Sequence, residues 1–192
     1  MKKIIYFIEF LLVEFLFIIC KVIGYKSASN LGFFIGKNFG NFFRKKKSII
    51  ENLHKSKIVI NISNNQFVNN ILGNYGRILA EYPFLKDFRK NKLEQFITID
   101  GIENLDKIKS NKKPVVFISG HFNNFELMAM QIEKHGINLA AIYRPLNNIF
   151  LNKTMERIRT KYICRNQIRK GRSGTRQILE NLKKGNSIAL MI

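Results

Sequence analysis

The stretch "PVVFISGHFNNFE", residues 114–126, decides the fold of this 192-residue chain. Its first half, Pro114 to Ser119, is a continuous apolar run that is typical of a central strand covered on both faces of a parallel sheet. Gly120 permits a sharp exit from such a strand. The polar residues after it can begin a helix, which we expect from about Asn123 to His135.

The rest of the chain continues this succession of strands and helices. Apolar residues alternate with polar ones in a half-buried strand, recur every three or four residues in a helix, and run continuously in a buried strand. The predicted elements are a helix over residues 66–82, a half-buried strand over 96–101, a buried strand over 137–144, helices over about 151–162 and 173–184, and a strand over 187–192. Their order predicts an α/β fold with a largely parallel central sheet flanked by helices. Because the last strand would end with the chain, we expect the C-terminal part of the domain to be missing.

The composition limits the partners of the protein. There are 33 Lys and Arg against 13 Asp and Glu, and the formal net charge is +20. Such a surface attracts polyanions, so nucleic acid, anionic lipid and an acidic protein are all candidates, although A/T-biased codon usage would account for part of the charge. The two cysteines and three histidines lack the spacing of a disulfide framework or a zinc site, so we expect no metal and no cofactor.

The N-terminus combines a long apolar segment with basic flanks. Residues Ile4 to Ile23 include 17 apolar residues in 20, which matches the length of a bilayer-spanning helix. Glu9 and Glu14 oppose insertion, because a carboxylate near the bilayer centre costs roughly 2.5 to 3.5 kcal/mol and the two lie about 140° apart on a helix. A spanning helix, a helix in the interface and a buried core helix remain as alternatives. With the basic cluster Arg44 to Lys47, residues 1–47 are predicted to be a membrane anchor that leaves the rest on the cytoplasmic face.

His121 and Glu126 are the candidates for catalysis, because they follow a strand end, where functional residues gather in open α/β sheets. In a continuous helix they would point about 140° apart, so they can meet only if His121 lies in the turn and Glu126 one helical turn inside. The carboxylate would then orient the imidazole as a general base for a substrate hydroxyl. No G-x-S-x-G nucleophile motif occurs, which favours direct attack by that hydroxyl. The alternative is a helix cap followed by an acid that complements the helix dipole.

Five blocks of sequence resemble the bacterial lipid A late acyltransferases, the lauroyl/myristoyl acyltransferase family. They occur in order from about Tyr75 to the end of the chain, together with a hydrophobic and basic N-terminus similar to the family's membrane anchor. The blocks are "NYGRILAEYP" (74–83), "IDGIENL" (99–105), "VVFISGHFNNFE" (115–126), "AIYRPLNN" (141–148) and "KGRSGTRQILENLKKGNSIALMI" (170–192).

The resemblance implies a glycerophosphate-acyltransferase-like fold and an activity. That activity is transfer of a fatty acyl group from acyl carrier protein to a hydroxyl of a hydroxyacyl chain on a lipid A precursor, at the cytoplasmic face of the inner membrane. It assigns His121 as general base, Glu126 as its orienting partner, and Arg144 as a cation near the thioester or the lipid phosphates. The same block holds weaker candidates for substrate binding, for which a capped loop is the alternative: Tyr143, Asn147 and Asn148.

A basic segment fits these partners. Residues 144–184 contain 12 Lys or Arg and only two acids, and both acyl carrier protein and the phosphates of lipid A are acidic. We therefore expect an anionic membrane, acyl carrier protein and a lipid A precursor as partners, and no nucleic acid, because few aromatic residues are free to stack on bases. The predicted domains are the anchor, residues 1–47, and an acyltransferase domain, residues 48–192, without its C-terminal part.

The chain departs from the family pattern at two residues of one block and at its C-terminal end. Asn123 and Phe125 stand where the family usually has glycine and tryptophan, and both keep the needed properties, since Asn tolerates left-handed backbone and Phe keeps the aromatic bulk. Family members continue after "SIALMI" into residues that complete the sheet and acyl groove. An inactive shortened form and a basic membrane-associated binding protein remain alternatives. A glycerophosphate-type acyltransferase is a further one, although such enzymes carry Asp at the acid position.

Overall fold

The computed structural model describes residues 2–42 and 46–191. Proximity of Cα atoms divides the chain into two compact units, here called the sheet unit (Met1–Leu12 and Leu85–Ile192) and the helical unit (Val13–Phe84). The sequence predicts a division at residue 47, between a membrane anchor and an acyltransferase domain. That division is by function rather than by compactness, and it stays a prediction.

The described residues of the helical unit are mostly helical. Its elements are α1 (Lys2–Ile23, from Val13 onward), α2 (Tyr25–Phe39), a 3₁₀ turn (Gly40–Phe42), α3 (Lys46–Ser56), α4 (Asn64–Glu81) and a second 3₁₀ turn (Tyr82–Phe84). Helix α4 confirms the helix predicted over residues 66–82. Its N-terminus is capped by Ser63, whose Oγ accepts a hydrogen bond of 3.2 Å from the amide of Gln66.

Helices α2 and α4 approach each other backbone to backbone through glycines. A Cβ atom at Gly36 would lie 2.3 Å from the carbonyl oxygen of Leu72, and one at Gly76 would lie 2.1 Å from that of Gly32. These distances leave no room for a side chain, so the small residues permit the close contact. Beside it, buried Glu81 accepts a hydrogen bond of 2.7 Å from the Ser29 hydroxyl.

The sheet unit contains the predicted α/β layer. Its elements are α5 (Leu85–Arg89), a 3₁₀ turn (Glu94–Phe96), α6 (Ile102–Asn111), β1 (Val116–Ser119), α7 (Glu126–Lys134), β2 (Leu139–Tyr143), α8 (Ile149–Ile158), a π-helical turn (Arg159–Ile163), β3 (Asn166–Arg169), α9 (Arg172–Lys183) and β4 (Ser187–Met191). The four described strands are all parallel and lie in the order β1-β4-β2-β3. The fold class predicted from the sequence, a largely parallel sheet flanked by helices, is confirmed. Ala140, Ile168 and Ile188 form the centre of the core beneath α9.

Two strand predictions are wrong, and one strand of the structure was not predicted. The strand predicted over residues 96–101 is wrong, because Phe96 ends a 3₁₀ turn, Ile97 to Ile99 are irregular, and none of the described strands pairs with them. The prediction that β1 is covered on both faces is also wrong. It pairs only with β4 among the described strands, and Val116 and Ile118 are 51% and 63% exposed. Strand β3 was not predicted, since Ile168 is the one apolar residue in its sequence "NQIR".

The first helix confirms a helical N-terminus but not an anchor. No helix of the described residues is both long enough and apolar enough to cross a membrane. Within the sheet unit, the ring of Phe150 packs 6.1 Å from that of Phe10, and Glu9 accepts a hydrogen bond of 2.9 Å from Asn148. One of the two acids that oppose insertion is therefore paired with protein. Of the predicted basic cluster, Arg44 and Lys45 lie outside the described residues.

Candidate active site

A cavity of about 580 Å³ lies at the carboxyl ends of the parallel strands. Its lining includes the last residues of three strands, Tyr143 of β2, Arg169 of β3 and Met191 of β4, and it includes His121, two residues beyond the end of β1. In open α/β sheets the connections after the strands form such a crevice, which is where ligands bind. The cavity is therefore the candidate active site.

His121 and Glu126 both line this cavity. His121 lies in the turn between β1 and α7, as pairing requires, but Glu126 is the first residue of α7 rather than one helical turn inside. The exposed imidazole of His121 makes an edge-to-face contact with the ring of Phe125, with 4.9 Å between their centroids. Asn123 has a φ of +40°, which confirms that it takes the left-handed conformation. A direct bond between His121 and Glu126 stays a prediction.

The carboxylate of Glu126 is held by Arg159. Its Oε1 accepts hydrogen bonds of 2.8 Å from Nε and 2.7 Å from Nη2 of the guanidinium. The exposed fractions of the two side chains are 16% for Arg159 and 8% for Glu126, so a buried carboxylate is paired with a partly buried guanidinium. Arg159 was not among the residues predicted from the sequence, although a signal was available: it follows Met155, which is buried, by four residues and therefore faces inward.

A second polar network forms where β2, β3 and α8 meet. The hydroxyl of Tyr143 donates a hydrogen bond to Glu156, and Arg169 donates from Nε to that hydroxyl (3.0 Å) and from Nη2 to Glu156 (2.9 Å). The bond from Tyr143, together with the weaker effect of Arg169, lowers the pKa of Glu156. Burial, followed by the bond to Glu156, raises the pKa of Tyr143. Tyr143 is thus a cavity residue whose hydroxyl is fixed by two charged neighbours.

The pKa of Glu156 leads to a prediction about acid stability. Because its folded pKa is below the ordinary carboxyl value of about 4.3, ionised Glu156 stabilises the fold above that pH, and this contribution is lost as the pH falls through the folded pKa. Glu156→Gln should therefore flatten the loss of unfolding free energy between neutral and acid pH, measured by urea denaturation. Exposed Glu103→Gln is the control and should leave the pH profile unchanged. Equal profiles for Glu156→Gln and the unmodified protein would contradict the assignment.

Cationic groups complete the cavity wall. Arg144, the predicted substrate-binding arginine, lines the cavity and is exposed, and Lys170 lines it as well. With Arg159 and Arg169 they give the lining four cationic side chains against one acid, Glu126, which suits a substrate with an anionic group. The other two predicted residues, Asn147 and Asn148, are not among the lining residues.

The family model of the bacterial lipid A biosynthesis acyltransferases matches residues 1–192. The chain belongs to this family. Membership makes the protein an acyltransferase of lipid A biosynthesis, as the sequence blocks predicted. No curated protein matches the chain.

In this acyltransferase, buried Asn148 caps a helix. Its Oδ1 accepts hydrogen bonds of 3.0 Å from the amide of Phe150 and 3.2 Å from that of Leu151, while its Nδ2 donates to the carbonyl of Tyr6 (2.8 Å) and to Glu9. The capped loop that the sequence offered as an alternative is therefore present. A role in substrate binding stays a prediction for Asn148 and for exposed Asn147.

Removal of this cap should destabilise the protein. We expect Asn148→Ala to lower the free energy of unfolding by about 0.5–2 kcal/mol, since two helical amides and Glu9 lose their partner. Asn147→Ala, at the exposed neighbour, should change it by less than about 0.5 kcal/mol. Urea denaturation of both variants tests the difference, and equal stabilities would contradict the capping role.

The acyltransferase cavity contains neither of the two cysteines, and both are buried. Burial raises the pKa of the Cys164 thiol to about 11, so it is protonated at neutral pH and unsuited to nucleophilic attack. The described residues include no group of three or more His, Cys, Asp or Glu side chains that could bind a metal ion. That no metal or cofactor takes part stays an expectation.

Proposed function

We propose that the protein transfers a fatty acyl group from acyl carrier protein to a hydroxyl of a hydroxyacyl chain on a lipid A precursor, with His121 as the general base. The observation that carries the proposal is the cavity at the strand ends, which is lined by His121, Glu126 and Arg144. A base, a buried carboxylate and a cation are the groups that acyl transfer to a hydroxyl needs. Family membership supplies the reaction class and the lipid A precursor.

The proposed reaction needs no covalent enzyme intermediate. One ring nitrogen of His121 takes the proton of the substrate hydroxyl as its oxygen attacks the thioester carbonyl carbon. The carbon–sulfur bond then breaks, and the departing thiolate takes the proton from the imidazolium. Glu126, held by Arg159, supplies negative charge that stabilises the imidazolium while it exists.

The cationic side chains of the cavity lining fit the charges of both substrates. Negative charge develops on the thioester oxygen during attack, and Arg144 or Lys170 could stabilise it. Lipid A phosphates and the acidic surface of acyl carrier protein would be attracted by the same cations. Exposed basic residues of α9, such as Arg176, extend this surface beyond the cavity.

Direct measurement of transfer tests the proposal. The full chain, in phospholipid–detergent micelles, is incubated with a lipid A precursor and acyl carrier protein carrying a labelled acyl chain. We expect a lipid product that gains one labelled chain, and much slower transfer when the same chain is supplied on a small thiol such as pantetheine. Transfer at equal rates from the two donors would contradict acyl carrier protein as the donor. With glycerol 3-phosphate added as a competing acceptor, transfer of the label to it rather than to the lipid A precursor would contradict the acceptor.

We also propose that the N-terminus attaches the enzyme to the cytoplasmic face of an anionic inner membrane. Support comes from the helix α1, whose exposed apolar side chains include Ile5, Ile8, Leu12 and Phe15. The net charge of +20 complements anionic headgroups. Sedimentation with anionic liposomes, compared with binding to single-stranded nucleic acid, tests this, and tighter binding to nucleic acid would contradict it.

A further inference from the structure

The helical unit contains a second cavity, of about 280 Å³, between α1, α2 and α4. Leu16 and Cys20 of α1 form one side, and its rim includes Ile35 and Tyr75, both of which are exposed. The cavity therefore opens to the surface. It shares no lining residue with the candidate active site, and the acyl-transfer mechanism does not use it.

The lining of this cavity is almost entirely hydrocarbon. Gly36 and Gly76, which lie at the close contact between α2 and α4, contribute only backbone atoms to the lining. Among the residues that line it, only Cys20 and Tyr75 have polar side-chain atoms. An apolar cavity of about 150 Å³ holds a molecule of the size of benzene, so this larger one suits a longer hydrocarbon with no polar group inside.

Two features of the same unit identify the source of that hydrocarbon. On α1, Phe15, Ile18 and Val22 are exposed, so apolar surface lies outside the cavity as well as inside it. Residues 13–84 also contain ten Lys or Arg against three acids, and one of the acids, Glu81, is buried in hydrogen bonds. A ligand with a hydrocarbon chain and an anionic headgroup complements both the apolar and the positive surfaces.

We propose that this cavity holds one alkyl chain of an anionic membrane phospholipid, so that the helical unit binds an individual lipid as well as the membrane surface. A surface helix alone would bind the bilayer without selecting a particular lipid. A cavity instead encloses one alkyl chain and so binds an individual lipid molecule. The proposal extends the membrane attachment proposed above and is independent of the acyl-transfer chemistry.

Photolabelling within vesicles tests the proposal. The full chain is bound to vesicles of phosphatidylcholine and phosphatidylglycerol, in which the phosphatidylglycerol carries a diazirine in one acyl chain. After irradiation, mass spectrometry locates the labelled residues. We expect labels on cavity residues such as Leu31, Leu72 and Leu79, and much less labelling when the diazirine is carried by phosphatidylcholine.

A matched pair of variants on α2 supplies the control. Ile35→Trp places a large ring at the mouth of the cavity, whereas Phe34→Trp makes the same kind of change at a neighbour that is 58% exposed and does not line it. We expect loss of cavity labelling in the first variant only. Sedimentation tests whether both variants still bind the vesicles, so that a failure of membrane attachment is distinguished from a loss of the cavity ligand.

Three outcomes would overturn the proposal. Labels confined to Phe15, Ile18 and Val22 would mean that the unit only rests on the bilayer. Equal labelling of Ile35→Trp and Phe34→Trp would mean that the chain lies elsewhere. The third outcome is that the unmodified protein is a dimer without cavity labelling and that Ile35→Trp converts it to a monomer. This would mean that a second copy of the protein covers the opening of the cavity.

Discussion

Substitution of His121 by alanine is expected to reduce the rate of acyl transfer by about 10²–10⁴-fold, the usual contribution of a general base. His121 is exposed and is the one histidine among the described residues that line the cavity at the strand ends, so we assign it to take the hydroxyl proton. Stability should change by less than about 0.5 kcal/mol, because an exposed side chain is removed. The initial rate of labelled product formation measures the effect.

A matched control is available in the same unit. His135 Nε2 lies at hydrogen-bonding distance, 2.8 Å, from Oδ1 of Asp106, and His135 does not line the cavity. His135→Ala should therefore retain the activity of the unmodified protein. His121→Ala with full activity would refute the mechanism, and so would a loss of the same size in both variants, since that would indicate a general structural effect.

Substitution of Arg159 by methionine is expected to destabilise the protein by about 3–5 kcal/mol, because it leaves the charge of Glu126 buried without the guanidinium. Arg159 and Glu126 are joined by two hydrogen bonds of 2.7 and 2.8 Å and are largely shielded from water. Urea denaturation at neutral pH measures the change. Activity should fall as well, since the carboxylate that we propose to stabilise the imidazolium loses its support.

The double variant Arg159→Met/Glu126→Gln separates the charge from the packing. Removal of both charges should restore most of the stability, because the loss of the guanidinium beside the buried Glu126 carboxylate is the largest part of the cost. Arg157→Met is the control on the same helix, since Arg157 is exposed, and it should change stability by less than about 0.5 kcal/mol. A double variant no more stable than Arg159→Met would show that the ion pair is not the source of the effect.

The candidate site was only partly predictable from the sequence. His121 and Glu126 could be found because they follow a strong strand pattern and lie within a family block, and Arg144 and Tyr143 because they follow the next strand. Their sharing of one cavity follows from the parallel sheet, in which strand ends meet at one edge. The charged partners Arg159, Glu156 and Arg169 were missed, because each bonds to a residue more than ten positions away.

The sequence by itself determined the α/β class, most helices and three of the four described strands, because the spacing of apolar residues shows which face of each element is buried. It also determined which residues stand after the strands. Only the tertiary structure decided that β4 lies between β1 and β2, that β1 is an edge strand there, and that Glu126 is held by Arg159. Periodicity in the sequence indicates which residues are buried, but not which strand or side chain they contact. Strand pairing and ion pairing depend on packing across the whole unit.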